Sequence, residues 1–559
     1  MIPIRKFLRV CHEQANVMKI ADSSGKEMTG RQVLLNTLVL KHFLRRAVLD
    51  EDERFVGVLI PTSCACTLVN FGLTLDKRVA VNLNFTVSEK VMNYCIHKVG
   101  IRRILTSRKV MAKLKYEHLE AEVVYFEDLL PKINLSDKLF GLVNAYLPPW
   151  IVEKELGLDK ISPDDLLTVI FTSGSTGVPK GVMLSHKNLY TNESSFIEFN
   201  QLAQDNILLG ILPSFHSMGY SYNMWTIFIT HFRCVYHYTP LETREISRLC
   251  KKYQCTLLAG APTFLRTYVR KCSAEDFASL KVVLVGAERM PVELMDAYEK
   301  KFGVRPMEAF GCTECAPVVT SNRLPNVSAQ EGSILCKEGT IGQELPGVKV
   351  EIRDLETGAV LEPDKVGMMW AKGPNVMLGY FDEPEKTAEV LVDGWYCTGD
   401  LARMDADGFI TITGRLSRFS KIGGEMVPHE GIENLISSII GCTQEDPICV
   451  CVSSISDEKK GEKLIVLYTE LKGWQPTDIV REMRNREQPP IWIPALDAFY
   501  QVDQIPVLGT GKLDIQGAKR QAQIVTDPLL GTRGKEDATV TGSEPEATAT
   551  PKALLNVPT

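Results

Sequence analysis

The chain has 559 residues, 45% of them apolar and 24% charged, with a formal net charge of −6. That length predicts two or more domains. The composition lacks the basic excess of a nucleic-acid binder, and no nucleic-acid partner is expected.

At the N-terminus, no charged–apolar–small succession reads as a secretion signal. The longest uncharged run, "FVGVLIPTSCACTLVNFGLTL" from Phe55 to Leu75, is interrupted by Pro61, Thr62, Ser63 and Asn70. Polar residues at the centre of a bilayer are costly. The run therefore predicts a buried strand, a turn and a packed helix rather than a membrane span. Fifteen cysteines in a long chain without such a signal suggest reduced thiols and a cytoplasmic setting. Room is left for peripheral contact at the inner face of a membrane.

Further along, "LLTVIFTSG" reads as a buried strand ending in turn residues. It runs into "FTSGSTGVPKGV", Phe171 to Val182. This stretch is not a Walker A loop: Pro179 stands where the second glycine belongs, and Gly181 where Ser or Thr should follow Lys180. Its backbone amides, hydroxyls and lysine still form a dense set of anion donors. Ser185 then caps a predicted helix. His216 lies in "LPSFHSMGY", where a satisfied core histidine and a functional one fit equally well.

"KVVLVGAERM" sets Gly286, Ala287 and Glu288 after a predicted strand, and "PVELMDAYEKKF" continues as a helix. Such alternation predicts an α/β architecture. "AFGCTECAP" presents Phe310, Gly311, Thr313 and Glu314. Its Cys312–Cys315 spacing has no second pair at zinc-ligand distance, so neither metal nor redox chemistry is expected of it. "GWYCTGDLARMDADGF" places Asp400 after Gly399. "GRLSRFSKIGGEMV" carries Arg415 and the pair Gly423–Gly424, and "IPVLGTGKLD" sets Lys512 between glycine turns. From about Thr526 the chain is rich in Thr, Ala, Pro, Glu and Gly, the composition of a disordered tail.

These stretches, in this order, resemble the adenylate-forming superfamily of acyl-CoA synthetases, luciferase and peptide-synthetase adenylation domains. The resemblance extends to about Gln523. The wording of "GAERM", "FGCTECAPVV", "KGPNVMLGY", "KIGGEMV" and "LGTGKLD" is similar to the synthetase half of bacterial acyl-acyl-carrier-protein synthetase/2-acylglycerophosphoethanolamine acyltransferases. The acyltransferase motif H-x-x-x-x-D is missing, since none of the nine histidines has aspartate five residues on.

The resemblance implies a large AMP-binding domain of stacked α/β subdomains over 1–416 and a small mobile α+β domain over 417–525. The tail, 526–559, follows. It implies ATP and Mg²⁺, a fatty acid converted to an acyl-adenylate, and transfer to a pantetheine thiol. Acyl carrier protein is the expected acceptor. CoA is the alternative, and a non-catalytic adenylate-binding protein a more distant one.

In that reading Thr172, Ser173, Gly174, Ser175, Thr176, Gly177 and Lys180 close over the β- and γ-phosphates, where charge-assisted hydrogen bonds are the stronger kind. Glu314 holds Mg²⁺, a hard cation that shares its shell with phosphates. Thr313 bonds the α-phosphate. Gly286, Ala287, Glu288, Phe310 and Gly311 flank adenine. Asp400 accepts from the ribose hydroxyls with Arg415 nearby. Gly423 and Gly424 line the pantetheine channel, His216 lies near the acyl carbonyl, and Lys512 bridges carboxylate and α-phosphate. Two departures stand out: Phe310 replaces the family's usual tyrosine, and Ser417 its usual hinge Asp or Lys. Arg415, Arg418 and Lys421, just before the glycine pair, are expected to meet an acidic carrier protein.

Overall fold

The computed structural model describes residues 2–114, 116–172, 178–324, 327, 334–422, 425–442, 448–457, 461–486, 488–507 and 513–527. The chain packs as two compact units. The first takes in the chain to Thr172, Pro179–Thr398 and Ala402–Ile412, and the second Gly399–Leu401 and the described chain from Thr413.

The first unit is α/β, built on two large sheets. In one, the strands Val79–Asn82, Phe55–Val58, Arg103–Thr106 and Glu122–Tyr125 run parallel. Leu166–Thr172 joins them, then turns back through the antiparallel Lys180–Ser185 and on to Gly379–Tyr380. In the other, Arg233–Tyr236, Ile207–Gly210, Leu257–Gly260, Val282–Val285 and Met307–Gly311 are parallel neighbours. Parallel strands need crossover helices and are buried on both faces, which is why these strands read as unbroken apolar runs.

The uncharged run resolves as expected into the strand Phe55–Val58 and the helix Cys64–Leu75, capped by the Ser63 side chain. That helix packs against strands of both large sheets. Phe71 on it stacks on Phe7 at 4.5 Å and meets Trp225 at 4.5 Å, forming the centre of the main core. Among the described residues, no helix is long and apolar enough to cross a membrane. None of the fifteen cysteines, all among the described residues, is joined in a disulfide.

The second unit is a small α+β body. Its strand Gly461–Tyr468 lies antiparallel to Val450–Asp457, and period-2 alternation splits its apolar residues between two cores. Leu464 and Val466 face the helices His429–Ile439 and Pro476–Asn485, while Ile465 and Leu467 pack with Ala518 and Ala522 of Ile515–Thr526. The tail from 528 onward lies outside the described residues.

Candidate active site

The Gly/Ser/Thr stretch sits where the strand Leu166–Thr172 turns back into Lys180–Ser185. Thr172 and Lys180 are register partners and form the mouth of that turn. Ser185 caps the helix His186–Phe199 through a reciprocal pair with Asn188, which fixes how the returning strand leaves the site. Ser173, Gly174, Ser175, Thr176 and Gly177 lie outside the described residues, as do Gly423, Gly424 and Lys512.

The described donors at the mouth face one another. The Lys180 ammonium donates to Tyr380 Oη at 3.1 Å and lies 4.3 Å from the centre of that ring. Tyr380 Oη in turn donates to Glu314 Oε1 at 2.9 Å. Burial and the Glu314 carboxylate push the phenol well above its ordinary value, so it remains a donor. Thr172 Oγ1 is buried without a hydrogen-bond partner. A buried hydroxyl left so is costly, and it is the kind of group an anion would satisfy.

Glu314 is itself buried, in a 3₁₀ turn, Thr313–Cys315, joining the strands Met307–Gly311 and Val318–Ser321. The pairing slips between Phe310 and Gly311. There the chains approach so closely that a Cβ on Gly311 would lie 2.3 Å from the Pro317 carbonyl oxygen. Only glycine fits at this crossing, which leads into the Thr313–Cys315 turn. Met377 N–H bonds the Glu314 carbonyl at 2.8 Å, tying the turn to the segment that carries Tyr380. Thr313 Oγ1 donates to Ser217 Oγ at 3.2 Å.

Ser217 follows His216, which is exposed; the core-histidine alternative therefore fails. Its ring lies 5.0 Å from Phe215. Gly286 continues the strand Val282–Val285, and a Cβ there would meet the Ala309 carbonyl oxygen at 3.4 Å and Met218 at 3.8 Å. Ala287 holds φ at +69°, a left-handed conformation that L-residues adopt at some cost. Glu288 accepts from Thr263 Oγ1 at 2.9 Å. The 286–288 turn, the half-buried Phe310, the Thr313–Glu314 turn and the 216–218 segment thus converge at the carboxyl ends of parallel strands, where open α/β sheets bind ligands.

In the second unit, Asp400 is buried and accepts from Arg415 Nε at 2.7 Å, with Arg415 otherwise exposed. The sequence reading of Arg418 is overturned. It is buried, ion-paired with Glu433, and donates to the Val452 carbonyl. Glu433 also accepts from Val452 N–H at 2.6 Å. Arg418 therefore holds a helix to a strand and offers no charge to an acidic partner. Ser417 beside it is exposed.

Two residues escaped the sequence reading. Tyr380 closes "KGPNVMLGY", a stretch noticed only for its resemblance, and its aromatic ring in a short strand reads as core. Ser217 gives no signal beyond its place beside His216.

The family described as AMP-binding enzyme matches residues 7–381. A long-chain-fatty-acid–CoA ligase of Bacillus subtilis (strain 168) is 28% identical over 519 residues, covering 88% of this chain and 89% of its own. Among solved structures, ATP-bound MatB from Rhodopseudomonas palustris superposes with a TM-score of 0.74 at 21% identity, over 94% of this chain and all of that one. An o-succinylbenzoate coenzyme A synthetase (MenE) from Bacillus subtilis, in complex with ATP and magnesium ion, gives 0.73 at 21% identity, over 93% and 99%. The chain belongs to the AMP-binding enzyme family.

Proposed function

We propose that this protein is an AMP-forming acid–thiol ligase that activates a fatty acid with ATP and passes the acyl group to the pantetheine thiol of CoA. The observation that carries the reading is the chain Lys180–Tyr380–Glu314 beside the unpartnered Thr172 hydroxyl. A cation and a hydroxyl for phosphate oxygens stand next to a buried carboxylate fit for a hard cation.

In this reading Lys180, Thr172 and the loop hydroxyls bond the β- and γ-phosphates, and Thr313 the α-phosphate. Gly286–Glu288 and Phe310 border adenine, and Asp400 takes the ribose hydroxyls with Arg415 alongside. Glu314 would hold Mg²⁺, which neutralises phosphate charge when bound. His216 stands by the acyl carbonyl. Lys512, a fixed positive charge between carboxylate and α-phosphate, lowers the barrier electrostatically. A carboxylate would otherwise have to expel oxide; as an adenylate it expels AMP. A boundary at 416/417, rotation about Ser417 and a pantetheine path past Gly423 and Gly424 complete the proposal.

CoA is preferred to acyl carrier protein on two grounds. The Bacillus subtilis relative is named for CoA. Arg418, the cation expected to read an acidic carrier, is consumed by Glu433. The test uses the full chain with ATP, Mg²⁺ and fatty acids of several lengths, offered either CoA or acyl carrier protein. Fatty-acid-dependent ATP–pyrophosphate exchange and acyl-CoA are expected. Lys512→Ala should cut exchange by on the order of 10²-fold while sparing thioester formation from preformed acyl-adenylate. Lack of exchange would sink the ligase reading, and acyl transfer to the carrier protein alone would sink the CoA assignment.

A further inference from the structure

The helix Leu135–Tyr146 is built inside out. A surface helix of a soluble domain normally turns its apolar stripe inward. Here the inward face carries Asp137, Gly141, Asn144 and Ala145. The outward face carries Leu135, Leu139, Leu142, Val143 and Tyr146, and Trp150 follows on the helix Pro149–Glu155; these six are between 46% and 80% exposed. At 100° per residue the five helical positions form one continuous stripe.

The orientation is locked from within. Asp137 accepts from Arg46 at 2.7 and 3.0 Å and lies 2.8 Å from His42 Nδ1. It also completes the capping box with Asn134. Gly141 permits close contact with the helix Gly30–Ala47, since a Cβ there would lie 2.3 Å from Val39 Cγ2. Arg31 donates to the Ala145 carbonyl at 3.2 Å, and its guanidinium lies 4.1 Å from the Tyr146 ring. Rolling the helix to hide its leucines would strip the buried Asp137 carboxylate of Arg46 and His42 and drive a side chain into a neighbour.

We propose that this face docks on the headgroup region of an anionic lipid bilayer, with its leucines, Tyr146 and Trp150 set into the acyl boundary. Contiguous exposed apolar surface marks an interaction site, and Leu, Tyr and Trp with flanking cations are the composition of helices that lie in a membrane interface. Twelve residues span roughly 18 Å, too short to cross a bilayer but long enough to lie on one. Charge selects the lipid. Lys132 and Lys138 are exposed beside the stripe, with Arg31 at its far end, and the helix's one acidic residue, Asp137, is buried. In a protein of net charge −6 the helix Leu135–Tyr146 thus exposes a cation and no carboxylate. A second copy meeting it about a two-fold axis would oppose like charges, whereas anionic headgroups complement them. The inference stands on the helix and does not depend on the ligase reading.

The test is sedimentation of the full chain with vesicles of mixed phosphatidylcholine and phosphatidylglycerol, against vesicles of phosphatidylcholine alone. The protein should pellet with the mixed vesicles, and binding should weaken with salt. Leu139→Glu with Val143→Glu should lower the partition coefficient by on the order of 10-fold or more, and Lys132→Gln with Lys138→Gln by on the order of 10-fold. These side chains are exposed, so the variants should melt as the parent does. A blue shift of Trp fluorescence on vesicle addition, lost in Trp150→Phe, gives a readout on an otherwise native face. A parent protein that stays in the supernatant overturns the proposal, as do charge and leucine variants that pellet unchanged. Sedimentation velocity closes the remaining route: a dimer abolished by Leu139→Glu with Val143→Glu would make this face a contact between copies, not a lipid surface.

Discussion

Replacing Tyr380 by Phe removes one oxygen atom from the candidate site and little else. The ring is buried, so phenylalanine fills the same space, and the Lys180 ammonium keeps a ring face to rest on. What disappears is the bridge from Lys180 at 3.1 Å to Glu314 at 2.9 Å. A hydrogen bond involving a charged partner is worth about 1.5–3 kcal/mol. If both charges are held for ATP, that loss falls on adenylation and corresponds to roughly 10- to 100-fold in rate. Tyr380 acts through its neighbours, so it is a positioning residue.

Fatty-acid-dependent ATP–pyrophosphate exchange, titrated with Mg²⁺, reads this directly. Tyr380→Phe should lower exchange within that range and raise the Mg²⁺ concentration needed for half-maximal rate, because Glu314 loses the donor that orients it. The KM for fatty acid should hardly move, and thioester formation from preformed acyl-adenylate should stay close to the parent rate. A merely structural tyrosine would depress both half-reactions together and leave the Mg²⁺ dependence alone. That outcome, or exchange within about twofold of the parent, which is less than 0.5 kcal/mol, would refute the reasoning.

Three further outcomes follow from the structure. Burial raises the Glu193 carboxyl from 4.5 to about 8, so folding takes up a proton there and stability falls as pH rises from 4.5 toward 8. The parent should lose on the order of 2 kcal/mol between pH 6 and 9 from this group, Glu193→Gln should lose less, and identical melting profiles would count against it. Arg418→Glu would set a second carboxylate against Glu433, whose side chain is only 14% exposed, and should destabilise the protein by about 3–5 kcal/mol, read by thermal unfolding; an unchanged melt with a selective rise in KM for acyl carrier protein would restore a surface role. Gly311→Ala puts a Cβ 2.3 Å from the Pro317 carbonyl oxygen, so exchange should fall more than 10-fold for about 1–3 kcal/mol of lost stability, and near-parent exchange would show that the turn tolerates the shift.

Much of the fold was legible because local signals agreed with the tertiary outcome. The apolar run ending at Thr172 is a strand, and Ser185 is a helix cap whose partner, Asn188, lies three residues on. The Phe55–Leu75 run could be divided because Pro61 and Ser63 mark the turn before the helix. The polar turns of the candidate site were legible for the same reason: glycines, hydroxyls and single charges after apolar strands do not serve a core. Gly311 was visible as a turn residue, but the close carbonyl that demands it belongs to the returning strand.

What escaped depends on partners distant in the chain. Tyr380 bonds residues 66 and 200 positions away, so nothing in its own strand separates it from a core aromatic. Arg418 lies in a polar turn and looks solvated until Glu433 comes up beside it. The helix Leu135–Tyr146 sharpens the point. Its periodicity gives a stripe of leucines, but a stripe has no sign: the same pattern serves a helix facing its core and one facing away from it. The sign is set by Asp137 meeting Arg46, 91 positions earlier, and by the absent side chain of Gly141 against Val39. Rolling the helix would give up the bonds that Arg46 and His42 make to Asp137, and a clash against a neighbouring helix adds to that. Turning the leucines inward must first overcome both, so the polar face stays inside and the leucines stay out.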